Sequence, residues 1–440
     1  MAEKTVGVAV LGCGTVGGGV VNILRHDHDM LLKRTGIDFQ LRHVVVKDRS
    51  EYPPHANELP MSTDANAAID DPASQIIIEL IGGTSIAGTF IERALRLGKP
   101  VITANKSLLA LRGPELFALA RQHGACIAFE GSVGGGIPIL DAVVRGLIAN
   151  RIEAVLGIVN GTCNFILTKM TQNGWSYGQA LKEAQELGFA EANPTLDVSG
   201  RDAAQKLAIL ASLAFNARLA ESDIHVEGID KLAVEEIRFA GEMGYVIKLL
   251  AIAQRSAGEQ ISLRVHPTLV HKDDVLADVG GPFNAISIYG HALGHALWYG
   301  RGAGRTPTAS AVVADLVGVA MGATAAAFNQ LRTWPDLTAP ARVLPFDQLE
   351  SRYYLRLMAK DEPGVLAQVT AALGAQSISL SSILQHEDGD GRNIPVVITT
   401  HLAREGAMQA ALKQINALAT ITPPTICLRI VDQPREFGAG

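Results

Sequence analysis

The chain has little that would staple it together, bind nucleic acid or carry it into a membrane. Its four cysteines (Cys13, Cys126, Cys163, Cys427) lie far apart, with no CxxC pair. That spacing excludes a disulfide scaffold or a thiolate zinc site and fits a reducing compartment. Charged residues are only 19% of the chain, 38 basic against 44 acidic, so the basic footprint of a nucleic-acid binder is missing. No apolar run reaches the roughly 18 residues that a membrane helix needs. The N-terminal VGVAVLGCG follows no basic region, apolar core and cleavage site of a secretory signal. His26 with His28 and His291 with His295 lack further ligands at fixed spacing, which argues against a histidine metal site. The expectation is a soluble, cytoplasmic protein with neither nucleic-acid nor membrane partners.

Apolar residues and glycine are plentiful. At 48% hydrophobic, 440 residues can bury several cores, and a prior of about 150 residues per domain suggests two to four. The glycines number 44 and gather in short groups without a period, the pattern of tight turns near ligands rather than of a fibre.

Alternating strand and helix patterns open the chain. Residues 5–11 read as a strand, 16–32 as a helix, 39–46 as a strand, 75–81 as a strand and 86–97 as a helix. A strand at 100–104, a helix at 114–123 and a strand at 125–130 continue the series. Such alternation predicts a doubly wound parallel sheet covered on both faces. From about Arg151 the texture becomes α+β: a strand at 151–159, helices at 177–187 and 201–215, a strand at 261–268 and a hairpin at 284–300. A helix at 308–321 is expected to pack back on the first domain. After a proline-bearing stretch, 333–349, strands and helices from Tyr353 to Val431 follow a βαββαβ order, a small ferredoxin-like module.

Gly12-Cys13-Gly14-Thr15-Val16-Gly17 matches GxGxxG between a strand and a helix. The first glycine turns the chain and the second lets the backbone approach a pyrophosphate. The third packs helix on strand, leaving phosphates at the helix N-terminus. At the end of the next strand, Lys47-Asp48-Arg49 offers both a carboxylate for a ribose hydroxyl (NAD) and cations for a 2′-phosphate (NADP). The flanking cations lean the reading to NADP, with NAD left open. Lys106, in Thr103-Ala104-Asn105-Lys106, stands at the strand edge where such sheets bind ligands, and reads as a cofactor or substrate contact or as an ordinary loop lysine. Asp202 and Lys206 are four apart on one helix face, beside the loop carrying Glu191 and Asp197. The pair reads either as a surface ion pair or, since the helix is otherwise apolar, as a half-buried lysine able to pass a proton.

These segments together resemble homoserine dehydrogenase. The family's motifs recur in order over nearly the whole chain: GCGTVGGG, ELIGG (79–83), TANK (103–106), EGSVGGGIP (130–138), GIVNGTCNFIL (157–167), LGFAEANPTLDVSGRDAAQK (187–206) and GRGAG (300–304). The resemblance implies reversible reduction of aspartate 4-semialdehyde to homoserine with a nicotinamide cofactor. It implies Lys206 as proton donor and Lys106 as a second lysine near cofactor and substrate. Glu191 and Asp202 would hold the substrate, chiefly its ammonium, with Asp197 in support, and Gly161 and Thr162 would start a helix beside its carboxylate. Gly12, Gly14, Thr15, Val16, Gly17, Arg49, Thr84, Thr103, Lys106, Gly188 and Gly304 would bind the cofactor. Glu130, Val133, Gly135 and Ile137 match a monovalent cation site (Na+) built largely from backbone carbonyls, with an ion-free glycine turn as the alternative. Cys163 departs from the family's usual Thr or Ser and reads as a small packing residue.

Asp361-Glu362-Pro363-Gly364-Val365-Leu366 resembles the DxPGVL signature of ACT domains, which bind amino acids at paired interfaces. The implication is feedback inhibition by threonine, with Asp361, Gly364 and Gln385 as effector-site candidates. The alternative is a module that only mediates subunit contacts. The expected fold class is therefore α/β, with a Rossmann-type domain at 1–150 completed by a helix at 305–330. A catalytic and dimerisation domain follows at 151–332, then a linker at 333–350 and an ACT domain at 351–432. The chain is expected to be the monofunctional form, as a homodimer or homotetramer. The rival class is a sensor of nucleotide and amino acid, which would have no need of a proton donor.

Overall fold

The computed structural model describes residues 4–51, 58–256, 258–385 and 393–432. Its first sheet joins β1 (Lys4–Leu11), β2 (Ile37–Val45), β3 (Met61–Ser62), β4 (Ile76–Glu79), β5 (Val101–Thr103) and β6 (Ile127–Ala128). All neighbours are parallel, in the order β3-β2-β1-β4-β5-β6. The order reverses between β1 and β4, and the crevice at that switch point is where such sheets take their ligand. Val8, Val10, Ile77, Ile78 and Ile102 are fully buried, as a sheet covered on both faces requires.

Helix Arg305–Ala320 does pack back on this sheet's first helix, Thr15–His26. The contact is close because Gly19 carries no side chain: a Cβ there would lie 2.9 Å from Ala309 Cβ and 2.9 Å from the Arg305 carbonyl oxygen. No single helix among the described residues is long and apolar enough to cross a membrane.

The second sheet is built from β7 (Ile152–Ile158), β8 (His225–Val226), β9 (Tyr245–Arg255), β10 (Ile261–His271), β11 (Phe283–Gly290) and β12 (Gly294–Arg301). It continues through β13 (Glu350–Lys360), β14 (Leu380–Gln385), β15 (Asn393–Thr400), β16 (Ala403–Arg404) and β17 (Ile421–Ile430). Its main path is β12-β11-β7-β9-β10-β17-β13-β15-β14. The last four strands pair antiparallel, with helices Val365–Ala375 and Glu405–Asn416 completing the expected ferredoxin-like module. The expected hairpin is β11–β12. The terminal module is not a separate bead, since β10 and β17 pair in parallel through Thr268↔Arg429 and Leu269↔Ile430.

Three expectations are corrected. The 333–349 stretch is no free linker: Ala339, Ala341, Arg342 and Leu344 exchange backbone hydrogen bonds with Arg218 and Ile261. Trp334 is buried against Phe117, Phe129 and Phe328, so packing as well as backbone pairing holds the segment in place. The helix expected at 114–123 begins at Lys106, where Asn105 caps it by accepting from Leu108 N, and runs on through Pro114. Proline there removes one donor, a loss that tertiary burial of Leu108, Leu109, Leu116 and Phe117 outweighs. The helix expected at 16–32 is two, Thr15–His26 and His28–Thr35, meeting at Asp27.

Candidate active site

The nucleotide loop is shaped by close backbone approach. Gly12 sits at φ +97°, and a Cβ on it would come within 2.7 Å of the Leu80 carbonyl oxygen. A Cβ on Gly17 would come within 1.9 Å of the Gly12 carbonyl oxygen, so only glycine lets the helix start under its own turn. Gly14 has open space around it and no side chain caps the following helix, leaving its first N–H groups free for an anion. The cleft beside it has a volume of about 770 Å³ and runs between Gly12–Gly14, Val45–Lys47, Thr63–Asn66 and Leu80.

Several cofactor candidates sit differently from the pattern. Asp48 does not line the cleft: its carboxylate accepts from the Ser50 backbone and hydroxyl, which hold it below the usual carboxylate range. Lys47 and Glu51 do line it. The Arg49 side chain lies outside what the structure describes. Thr103 is fully buried and donates to Glu79 Oε2 at 2.7 Å, while Glu79 Oε1 accepts from Ile81 N and Gly82 N. Thr103 therefore braces the loop from beneath. Thr84, Gly188 and Gly304 are exposed on loops outside the cleft lining.

Helix Arg201–Ala214 carries Asp202 and Lys206 inward, among twelve buried residues. Asp202 is 5% exposed and Lys206 9%, which excludes the surface ion pair. Lys206 Nζ donates to Asp202 Oδ2 at 2.7 Å and to the Val159 carbonyl at 2.7 Å. Lys106 Nζ, from the edge of the first sheet, lies 3.2 Å from Asp202 Oδ1. Burial works to raise the Asp202 carboxyl, but Lys206 and Lys106 outweigh it, with hydrogen bonds from Lys206 and Asn160, and hold it at about 2. One carboxylate thus fixes two ammonium groups from separate helices.

Asn160 was not singled out by sequence. Its oxygen caps helix Gly161–Asn173 by accepting from Cys163 N at 2.8 Å, and its amide nitrogen donates to Asp197 Oδ1 at 2.7 Å and Asp202 Oδ2 at 2.8 Å. The expected helix start at Gly161 places the cap, but the second role needs the other helix. Burial raises the Asp197 carboxyl. Cys163 is fully buried, its thiol pushed well up by that burial, as befits a packing residue. Gly161 is pinned by the Pro282 carbonyl oxygen, 2.8 Å from a would-be Cβ. Thr162 is buried, its hydroxyl donating to the Phe189 carbonyl at 2.6 Å. Glu191 is exposed in the loop after helix Tyr177–Glu186, and no hydrogen bond among the described residues ties its carboxylate to the lysines.

The Glu130–Ile137 turn is buried except at Gly136. Glu130 accepts from Leu140 N and Asp141 N at 2.8 Å each, yet burial pushes its carboxyl up to about 7. Gly135, at φ +54°, passes close under Gly302, whose carbonyl oxygen would meet a Cβ at 2.5 Å.

Three family models match the chain: the NAD-binding domain of homoserine dehydrogenase at residues 12–130, homoserine dehydrogenase at 138–317 and the ACT domain at 353–420. The homoserine dehydrogenase of Pseudomonas aeruginosa is 41% identical over 432 residues, 97% of this chain and 99% of the relative. That of Bacillus subtilis is 40% identical over 426 residues, 95% of this chain and 96% of the relative. The crystal structure of a homoserine dehydrogenase from Thiobacillus denitrificans superposes with a TM-score of 0.92 at 42% identity, covering 98% and 99% of the two chains.

Proposed function

The chain belongs to the homoserine dehydrogenase family, and on that premise we propose how its residues divide the work of reducing aspartate 4-semialdehyde to homoserine. When bound, the nicotinamide supplies a hydride to the aldehyde carbon. Lys206 stabilises the negative charge on the carbonyl oxygen and donates the proton. Lys106 adds a second positive charge at the same place. Asp202 keeps both ammonium groups pointed inward, and Asn160 orients Asp202 and Asp197. Glu191, whose carboxylate bonds to neither lysine among the described residues, takes the substrate's ammonium, and the start of helix Gly161–Asn173 takes its carboxylate. Held at both charged ends, the substrate presents its aldehyde in one orientation. The observation that carries this reading is the shared grip of Lys206 and Lys106 on Asp202.

NADP is the preferred cofactor in this reading, because Lys47 lines the cleft where a 2′-phosphate would need a cation. A monovalent cation fits the Glu130–Ile137 turn. No hydrogen bond among the described residues reaches the Val133 or Gly135 carbonyls, and those of Glu130 and Ile137 each accept one, so all four keep lone pairs to offer. Threonine is the proposed effector. Asp361, Gly364 and Gln385 line one cavity of about 380 Å³ in the terminal module. Pairing of that module, and of the second sheet, would give the dimer or tetramer.

Initial rates of homoserine oxidation with NADP+ and NAD+ in parallel, with and without threonine, test the whole reading. Turnover that favours NADP+ and falls with threonine supports it. Turnover indifferent to threonine removes the effector assignment, and no turnover from folded protein removes the assigned proton donor.

A further inference from the structure

Where β10 meets β17, the second sheet encloses a cavity of about 200 Å³ that the proposed reaction does not use. Three buried basic side chains line it: Arg264, His266 and Arg429. Arg429 is fully matched. Its Nε and Nη2 each donate to Glu405 at 2.8 Å, and its Nη1 donates to Glu227 at 3.0 Å. Arg264 is matched by no carboxylate among the described residues. Its hydrogen bonds go to Ser262 Oγ at 2.9 Å and Gln254 Oε1 at 3.5 Å, both neutral.

A guanidinium buried without a counter-charge is costly, and nearby carboxylates in this cavity do not relieve it. Glu350 and Asp432, at the rim, are turned to Arg404 at 3.6 Å and Arg352 at 3.2 Å. Burial pulls the Arg264 side chain down to about 10, with Arg429 adding repulsion that Glu405, itself bonded to Arg429, only partly offsets. His266 is 1% exposed and its Nε2 has no hydrogen-bond partner among the described residues, while Nδ1 lies 3.1 Å from the Pro267 carbonyl and 2.9 Å from the Thr268 hydroxyl. An uncompensated arginine and an orphaned ring nitrogen therefore face the same small polar space.

We propose that this cavity is a binding site for a small oxyanion, a carboxylate or a phosphate, held by the Arg264 guanidinium beside the His266 ring. A planar fork with unused donors suits both chemistries. The volume admits an anion of a few heavy atoms with water, and excludes a nucleotide. The site is distinct from the Asp361–Gln385 cavity, which shares none of its lining residues. Its occupant would bridge the two halves of the second sheet, since Thr268 and Arg429 are register partners at that seam.

The test is isothermal titration of the full chain, with excess NADPH filling the nucleotide cleft. Inorganic phosphate and sodium acetate serve as separate probes at constant ionic strength. Saturable one-site binding of either is expected, weakened about ten- to a hundredfold in Arg264→Gln, the loss for one charge-assisted contact. Phosphate alone or acetate alone would identify the oxyanion. No saturable binding of either, or equal affinity in Arg264→Gln, overturns the proposal. Should that variant not fold, arsenate soaked into wild-type crystals gives an independent answer. An anomalous peak within hydrogen-bond reach of Arg264 supports the site, and peaks confined to the surface, an adventitious ion only, overturn it.

Discussion

Lys206 and Asp202 stand one helical turn apart, joined by a 2.7 Å hydrogen bond in a setting where both are over nine-tenths buried. An exposed pair at this spacing would add about 0.2–0.5 kcal/mol and leave both side chains mobile. Buried, and shared with Lys106 and Asn160, the same pair fixes where an ammonium proton can be delivered.

Lys206→Gln should lower kcat for aldehyde reduction by about 10²–10⁴, the range for loss of a positioned proton donor. NADPH affinity, followed by cofactor fluorescence, should stay near the wild-type value. Equal losses in both would mean that the lysine serves the fold rather than the chemistry.

Asp202 also predicts a pH dependence. Its carboxyl is held at about 2 in the folded chain against an ordinary 3.8. A lowered carboxylate contributes stability that is fully present above the unfolded value and is lost as pH falls through the folded one. The window is therefore about pH 4 to pH 2, and the contribution about 2 kcal/mol. Urea unfolding at pH 5 and pH 2.5 should show a larger drop for the wild type than for Asp202→Asn. The variant itself should be less stable than wild type at pH 5, since it leaves two lysines facing a neutral amide.

Gly17→Ala should disrupt the nucleotide loop, because the new methyl meets the Gly12 carbonyl oxygen rather than a movable side chain. Overpacking of this kind costs about 1–3 kcal/mol. A lowered melting temperature with weakened binding of both NADPH and NADH is the expected result. Gly14→Ala, with open space around it, should leave the melting temperature unchanged.

Lys47→Ala should weaken NADPH more than NADH. Removing one charge-assisted contact to a 2′-phosphate corresponds to about 1.5–3 kcal/mol. The ratio of kcat/KM for the two cofactors reads the difference directly, and an unchanged ratio would take Lys47 out of cofactor selection.

Asp361→Ala should abolish threonine inhibition while leaving the uninhibited rate unchanged, because Asp361 lines a cavity in the terminal module rather than the lysine cluster. Dose–response curves for the two proteins decide it.

The strand–helix alternation of the first domain, the glycine turn, the βαββαβ module and the apolar helix carrying Asp202 and Lys206 were legible in the chain. Each rests on local periodicity or on a conformation that few residues adopt. Local signals could not show that Trp334 pins the 333–349 stretch, that Asn105 starts a helix running through Pro114, or that Thr103 braces Glu79. Those outcomes depend on what packs against each segment from elsewhere. Asn160 bonding to Asp197 and Asp202, Lys106 reaching Asp202, and Arg264 left without a carboxylate among the described residues are likewise relations across long sequence separations. Residue type and local pattern settle which side chains can carry charge, turn or cap. Which charges meet is settled by packing, because burial sets how strongly a pair interacts and which side chain stays unmatched.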